Sequence, residues 1–162
     1  MPTPEEKIQA LGLSMPAPTK LPPGLHLPFA FVNVRGGRVL FSGHPKSAPD
    51  GGIAGPYGLL GTDLTTEEGY DAARIVALSV LSNIKAEIGE LSRITGVARV
   101  FGMVASAPGY TEQHFVVNGF SDLFLGVFGP EIGQHARSAI GLSGLPMGFA
   151  MEIEGEVLID CI

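Results

Sequence analysis

His135-Ala136-Arg137-Ser138-Ala139-Ile140-Gly141-Leu142-Ser143-Gly144-Leu145-Pro146-Met147-Gly148-Phe149-Ala150-Met151-Glu152-Ile153-Glu154 reads as two extended runs joined at Gly144-Leu145-Pro146. In a strand, successive side chains point to opposite faces. The first run therefore sets Ala136, Ser138 and Ile140 against Arg137, Ala139 and Gly141. The second sets Phe149, Met151 and Ile153 against Ala150, Glu152 and Glu154. An arginine and a carboxylate are thus expected in β-structure among small and apolar neighbours. A guanidinium fixed by a strand offers a planar fork that fits a carboxylate or phosphate.

Outward from this block, the pattern alternates between helix and strand. Residues 112–128 carry Phe120, Leu123, Phe124, Val127 and Phe128 on one heavy apolar face, and Gly129-Pro130 should break that helix. Residues 97–104 alternate as a strand. Residues 65–88 are the longest expected helix, opened by a Thr65-Thr66-Glu67-Glu68 capping box and stopped at Gly89. Its apolar positions Ala73, Ala77, Val80, Leu81, Ile84 and Ile88 recur at helical spacing, and the small residues Ala72, Ala73 and Ala77 permit close approach. Residues 46–58 are loop by composition, after which Leu59-Leu60-Gly61 is expected to add a short strand. Residues 29–35 and 38–43 form a strand pair across Gly36-Gly37, a two-residue hairpin signal.

The N-terminal part is simpler. Residues 3–12 read as a short helix with a Thr3…Glu6 capping box, ended by Gly12. Pro16, Pro18, Pro22, Pro23 and Pro28 make the next stretch an irregular lead-in. The whole chain, 1–162, is expected to be one domain, with residues 1–24 as N-terminal helix and proline-rich lead-in. Two long helices should cover one face of a single mixed sheet, an α+β fold. The other face is left bare, and an apolar bare face has to be buried by association.

Composition narrows the function classes. Net charge is −6 and the ten basic residues are scattered, which argues against a broad nucleic-acid surface. The single cysteine, Cys161, allows no intrachain disulfide and no zinc spacing, and is expected to be inert. His26, His114 and His135 lack partner spacing for a metal. The N-terminus lacks a basic start and apolar core, and no run approaches the ~20 apolar residues of a membrane span. The expectation is a cytoplasmic protein that makes no membrane contact.

The block from Ala136-Arg137-Ser138-Ala139 through Leu145-Pro146 to Met151-Glu152-Ile153-Glu154 resembles the signature of the RidA/YjgF family. These proteins are called reactive intermediate deaminases or L-PSP endoribonucleases. The resemblance extends to Pro28-Phe29, Ser42-Gly43-His44, Asn83-Ile84-Lys85 and Val100-Phe101-Gly102-Met103-Val104, about residues 25–160. The loop, the N-terminal helix and the regions at Ser106-Ala107-Pro108 and Asn118-Gly119 resemble the divergent YjgF/chorismate-mutase-like branch. That resemblance implies a chorismate-mutase-like fold, and a homotrimer with clefts between subunits. It implies that Arg137 clamps a substrate carboxylate, that Glu152 binds or orients water, and that the backbone near Gly43 and Ala139 lines the pocket. The implied reaction is hydrolysis of small carboxylate-bearing enamines or imines to 2-keto acids and ammonia, with no cofactor. Phe29, His44 and Ala139 stand where well-studied members carry tyrosine, glutamine and cysteine.

Several alternatives stay open at this level. Arg137 could pair structurally with Glu152 or Glu154. His44 could be a proton shuttle at a strand end or a polar turn residue. Phe29 could wall the pocket or belong to the core, and Asn118 lies near the family's polar position on the second long helix. The candidates are therefore Glu152 and His44 as catalytic groups, with Arg137, Phe29, Gly43, Ala139 and Asn118 binding a small carboxylate. A trimer that binds such a metabolite without turnover, and an endoribonuclease, are the competing readings.

Overall fold

The computed structural model describes residues 1–160; Cys161 falls outside them. In chain order the elements are α1 (Pro4–Ala10), β1 (Val32–Arg35), β2 (Arg38–His44), α2 (Thr66–Ile88), β3 (Ile94–Ala105), α3 (Gln113–Gly133), β4 (Ala136–Leu142) and β5 (Met151–Ile159). Both expected capping boxes form: Thr3 with Glu6, and Thr65 with Glu68. Each pairs two otherwise orphaned backbone donors with side chains, which fixes where the helix begins. Gly36 and Gly37 both take positive φ, and Arg35 pairs with Arg38 across them. This is the two-residue hairpin geometry that glycine accommodates.

The five strands form one sheet in the order β1-β2-β5-β3-β4. Only β3 and β4 run parallel; every other pair is antiparallel. The two runs of the C-terminal block are therefore not neighbours, because β3 lies between them. β4 is an edge strand, and β5 is central. Helices α2 and α3 cover one face, and a single apolar core joins them to Val39, Phe41, Val100, Val104, Met151, Ile153 and Val157. The α+β expectation of a mixed sheet with two long helices on one side is met.

Some boundaries differ from the sequence reading. Leu59-Leu60-Gly61 forms no strand. Leu60 makes isolated bridges to Leu64 and Ser106, and Asp63 accepts a hydrogen bond from the Leu59 amide, which folds the segment into a turn. Helix α3 does break at Gly129 (φ 76°), but helical turns resume from Pro130 to Gly133. Phe149 does not share the core face of Met151. It precedes β5 and stacks on Tyr57, 5.6 Å between ring centroids. By length and apolar composition alone, α3 would also pass as a membrane span. Phe120, Leu123, Phe124 and Val127 bury its apolar side in the core.

The α2–α3 contact is close because of glycine. A Cβ on Gly119 of α3 would collide with the backbone carbonyl of Tyr70 on α2. A backbone atom cannot swing aside as a side-chain end can, so the two helices would have to separate.

His44 is 1% exposed and faces the helix layer. Its Nδ1–H donates to the Ser42 carbonyl (2.6 Å), which leaves Nε2 to accept from the Asn83 amide nitrogen (2.9 Å). The Asn83 amide is oriented in turn by the Thr19 backbone N–H, which donates to its Oδ1 (2.8 Å). This chain ties β2, α2 and the lead-in together. Burial lowers the pKa of His44 from 6.5 to about 4, with the Ser42 carbonyl opposing more weakly. A second ring proton would also confront the Asn83 N–H donor.

Two predictions follow from this packing. Gly119→Ala should destabilise the fold by about 1–3 kcal/mol in chemical denaturation, through overpacking. For His44 the folded pKa lies below the unfolded value, so its contribution is complete above pH 6.5 and is lost as pH falls towards 4. The loss is about 3 kcal/mol. Urea midpoints measured over that range should slope less in His44→Gln than in the parent; equal slopes would contradict a buried neutral ring.

Candidate functional site

The candidate residues fall into two groups, set by strand alternation. Arg137 pairs in register with Val100, whereas Glu152 pairs with Met103. Val100 faces the helices and Met103, three residues on, faces the open side. Arg137 and Glu152 therefore lie on opposite faces of the sheet, and no ion pair joins them. Glu154 and Glu156 share the open face with Glu152, and Glu156 pairs with Arg38 (2.6 Å).

The first group surrounds Arg137, half-buried at the edge of the sheet. Its Nη1 donates to Asn118 Oδ1 (2.9 Å) and Ser121 Oγ (3.0 Å), and its Nη2 donates to the His114 carbonyl (3.2 Å). His114, Asn118 and Ser121 are spaced by four and three residues, one face of α3. The Ser121 hydroxyl donates to His135 Nε2 (2.9 Å), and His135 Nδ1–H donates to the Gly133 carbonyl (2.7 Å). The donor directions are thus fixed from the Gly133 carbonyl back to the guanidinium. Burial is the main cause lowering the pKa of both groups, and the Arg137 charge lowers that of His135 further. Among the described residues no carboxylate forms a salt bridge with Arg137. The guanidinium's hydrogen bonds go to neutral acceptors, and the Asp122 carboxylate acts on it only at longer range, opposing the effect of burial. An incoming anion would meet a cation with no contact counter-ion. Ala139 lies two residues further along the same face of β4.

The second group surrounds Glu152. A cavity of about 370 Å³ opens beside it, lined by Phe29, Phe31, Ser42, Gly43, Met147 and Phe149, by Leu21, Leu25 and Leu27 of the lead-in, and by Lys46. The β2–β5 register shifts between Phe41 and His44, bringing the backbone at Gly43 under the carboxylate. A Cβ there would stand 2.8 Å from Glu152 Oε2. Desolvation raises the Glu152 pKa. Among the described residues no side chain donates a hydrogen bond to its carboxylate. A carboxylate so placed is more basic than one in water and is free to accept a proton from a bound molecule.

The structure thus brings Phe29, Gly43 and Glu152 into one cavity, and Arg137, Asn118 and Ala139 into a second locus. His44 belongs to neither. Its ring lies on the helix side, saturated by Ser42 and Asn83, rather than facing the carboxylate as a proton shuttle would require. Sequence reasoning missed Ser121 and His135, which orient Arg137. The i, i+3 spacing of Asn118 and Ser121 was the available signal. It also missed the lead-in leucines, whose spacing among prolines has no regular period. Among the described residues, no group of three His, Cys, Asp or Glu side chains converges as a metal site.

The chain can be compared with known proteins. Residues 8–150 match the family described as "YjgF/chorismate_mutase-like, putative endoribonuclease". The solved structure of Atu1372 from Agrobacterium tumefaciens, described as of unknown function, is 33% identical with a TM-score of 0.84, covering 98% of this chain and 92% of that one. A putative endoribonuclease from Shewanella oneidensis is 28% identical with a TM-score of 0.86, covering 98% of this chain and 100% of that one. Protein TCP17 of Trypanosoma cruzi is 47% identical over 103 residues, 64% of each protein. The match spans just under two thirds of that relative's length. With the family match spanning most of the chain and a relative 33% identical over nearly its whole length, the chain belongs to the YjgF/chorismate-mutase-like family.

Proposed function

We propose that the protein hydrolyses carboxylate-bearing enamines or imines to 2-keto acids and ammonia, in a cleft between copies of the chain in a homotrimer. The observation that carries this reading is the pair of half-sites. An Arg137 without a salt-bridge partner on one sheet face and a desolvated Glu152 on the other cannot meet within one chain. A neighbouring copy that covers the open face can set its own Arg137 against the Glu152 cavity. The exposed side chains of Leu40 and Ile140 on that open face are apolar surface that such packing would cover.

In this scheme the Arg137 fork holds the substrate carboxylate, which orients the C=N carbon. An enamine first takes a proton at its β-carbon to become the imine. Glu152 accepts a proton from water as the water oxygen bonds to the C=N carbon. That proton passes from Glu152 to nitrogen. The C–N bond of the protonated carbinolamine then breaks as its hydroxyl gives its proton to Glu152, the carbonyl forms and ammonia leaves, and the protonated Glu152 supplies the β-carbon proton for the next enamine. The Gly43 backbone leaves room for water beside the carboxylate. Asn118, Ser121 and His135 act as positioning residues for the guanidinium, and His44 holds β2 on α2 without touching substrate.

The family description also names an endoribonuclease. A net charge of −6 with scattered basic residues weighs against a phosphate-tracking surface. RNA cleavage that follows the protein through purification and disappears in Arg137→Ala would favour that reading.

Ammonia release from imines generated by an amino-acid oxidase tests the proposal. Arg137→Ala should lower kcat/KM about 100-fold through loss of the charged clamp. Rates equal to the parent's would overturn the assignment, as would sedimentation as a single chain. Glu152→Gln should remove turnover, and the parent's kcat/KM should fall at acid pH with an apparent pKa above 4.5 as Glu152 takes up its proton. A carboxyl pKa raised in the folded state contributes stability at low pH that is lost as pH rises. Glu152→Gln should therefore unfold at an equal or higher temperature than the parent at pH 7.

A further inference from the structure

The Glu152 cavity is much larger than a two- or three-carbon enamine requires, and its walls are mainly apolar. Leu21, Leu25 and Leu27 reach it from the lead-in, and Phe29 and Met147 stand at its rim. Leu21, Leu25, Phe29 and Met147 are between 37% and 64% exposed, so core packing does not account for these side chains. Exposed apolar groups gathered round one concavity mark a binding surface rather than a core.

Two features show that the wall is built. The lead-in is pinned where it enters: the Thr19 amide donates to Asn83 Oδ1 (2.8 Å) and the Lys20 amide to the Gly51 carbonyl (2.8 Å). It then turns, with the Leu25 amide donating to the Pro22 carbonyl (3.1 Å), and presents its leucines to the cavity. On the opposite rim Met147 has a left-handed backbone (φ 57°), the only non-glycine residue with positive φ among those described. Glycine would adopt that conformation without steric cost. A strained residue with a long, exposed, adaptable side chain fits a ligand contact.

We infer that the cavity selects substrates by an apolar side chain: imines derived from leucine-, methionine- or phenylalanine-like amino acids, with the side chain lying between the lead-in leucines and Met147. Glu152 and Lys46 are the charged groups in the lining, so the reacting C=N end lies at Glu152, with its carboxylate on the neighbouring copy's Arg137, and the remainder is apolar contact. This inference rests on the reading of Glu152 as the seat of hydrolysis, but it has its own readout.

The test compares kcat/KM for imines from alanine, 2-aminobutyrate, norvaline, leucine, methionine and phenylalanine. Each methylene added along the straight chain should raise kcat/KM about fourfold until the cavity is filled. Leu25→Ala and Met147→Gly should each lower the phenylalanine-to-alanine ratio at least fivefold, and Met147→Gly should do so without lowering the melting temperature. A flat or falling series would overturn the inference. So would an unchanged ratio in both variants, including one accompanied by dissociation of the oligomer, which would make these residues subunit contacts. If no imine is turned over, the deaminase reading fails, and calorimetry with pyruvate, 4-methyl-2-oxopentanoate and phenylpyruvate decides the cavity's role. Affinity rising along that series supports the inference, and equal or absent binding overturns it.

Discussion

A sheet covered on one side only is the constraint from which the site arises. Every strand alternates between a buried face and an open one. Core demands fill one set of positions: Val39, Phe41, Val100, Val104, Met151, Ile153 and Val157. The intervening positions are released from packing, and there the chain carries Arg99, Glu152, Glu154 and Glu156. Arg137 is the exception, a charge on the covered side. It is tolerable because β4 is an edge strand and α3 offers it three neutral acceptors. The same geometry that stabilises one chain thus divides the reactive groups between two faces.

The buried polar residues are organised by direction. Three donors and acceptors meet His44 and Asn83 in the only sense compatible with a neutral ring, so each buried atom is satisfied. The second array, Gly133–His135–Ser121–Arg137, is equally directional. One array sets the position of the lead-in against α2; the other sets the guanidinium. Both use histidine as a one-proton connector, and burial keeps each ring below its ordinary pKa.

Much of this was legible in the chain. The capping boxes at Thr3 and Thr65, the stop at Gly89, the Gly36-Gly37 hairpin and the α3 break at Gly129 are local signals, and local backbone chemistry decides them. The alternation placing Arg137 opposite Ser138, and Glu152 opposite Met151, was also readable. Strand order was not, because the insertion of β3 between β4 and β5 depends on pairings 37 residues apart with β4 and 47 to 65 apart with β5. The burial of His44 was hidden for the same reason: its partner Asn83 lies 39 residues away on α2. Phe149 misled because its alternation with Met151 is broken by the tight turn at Pro146–Gly148.

The lead-in has a bearing on how such a protein can change. From Thr19 to Leu27 its hydrogen bonds go to Asn83, Ser47, Gly51 and Pro22, and none goes to a strand of the sheet. The leucines that face the concavity are not the residues that tie the strap to the body of the fold, which are Thr19 and Lys20. Such a peripheral strap can be lengthened, shortened or recoloured with polar side chains while the scaffold beneath keeps its register. Descendants of one ancestral chain could diversify their diet in this way without having to learn to fold again.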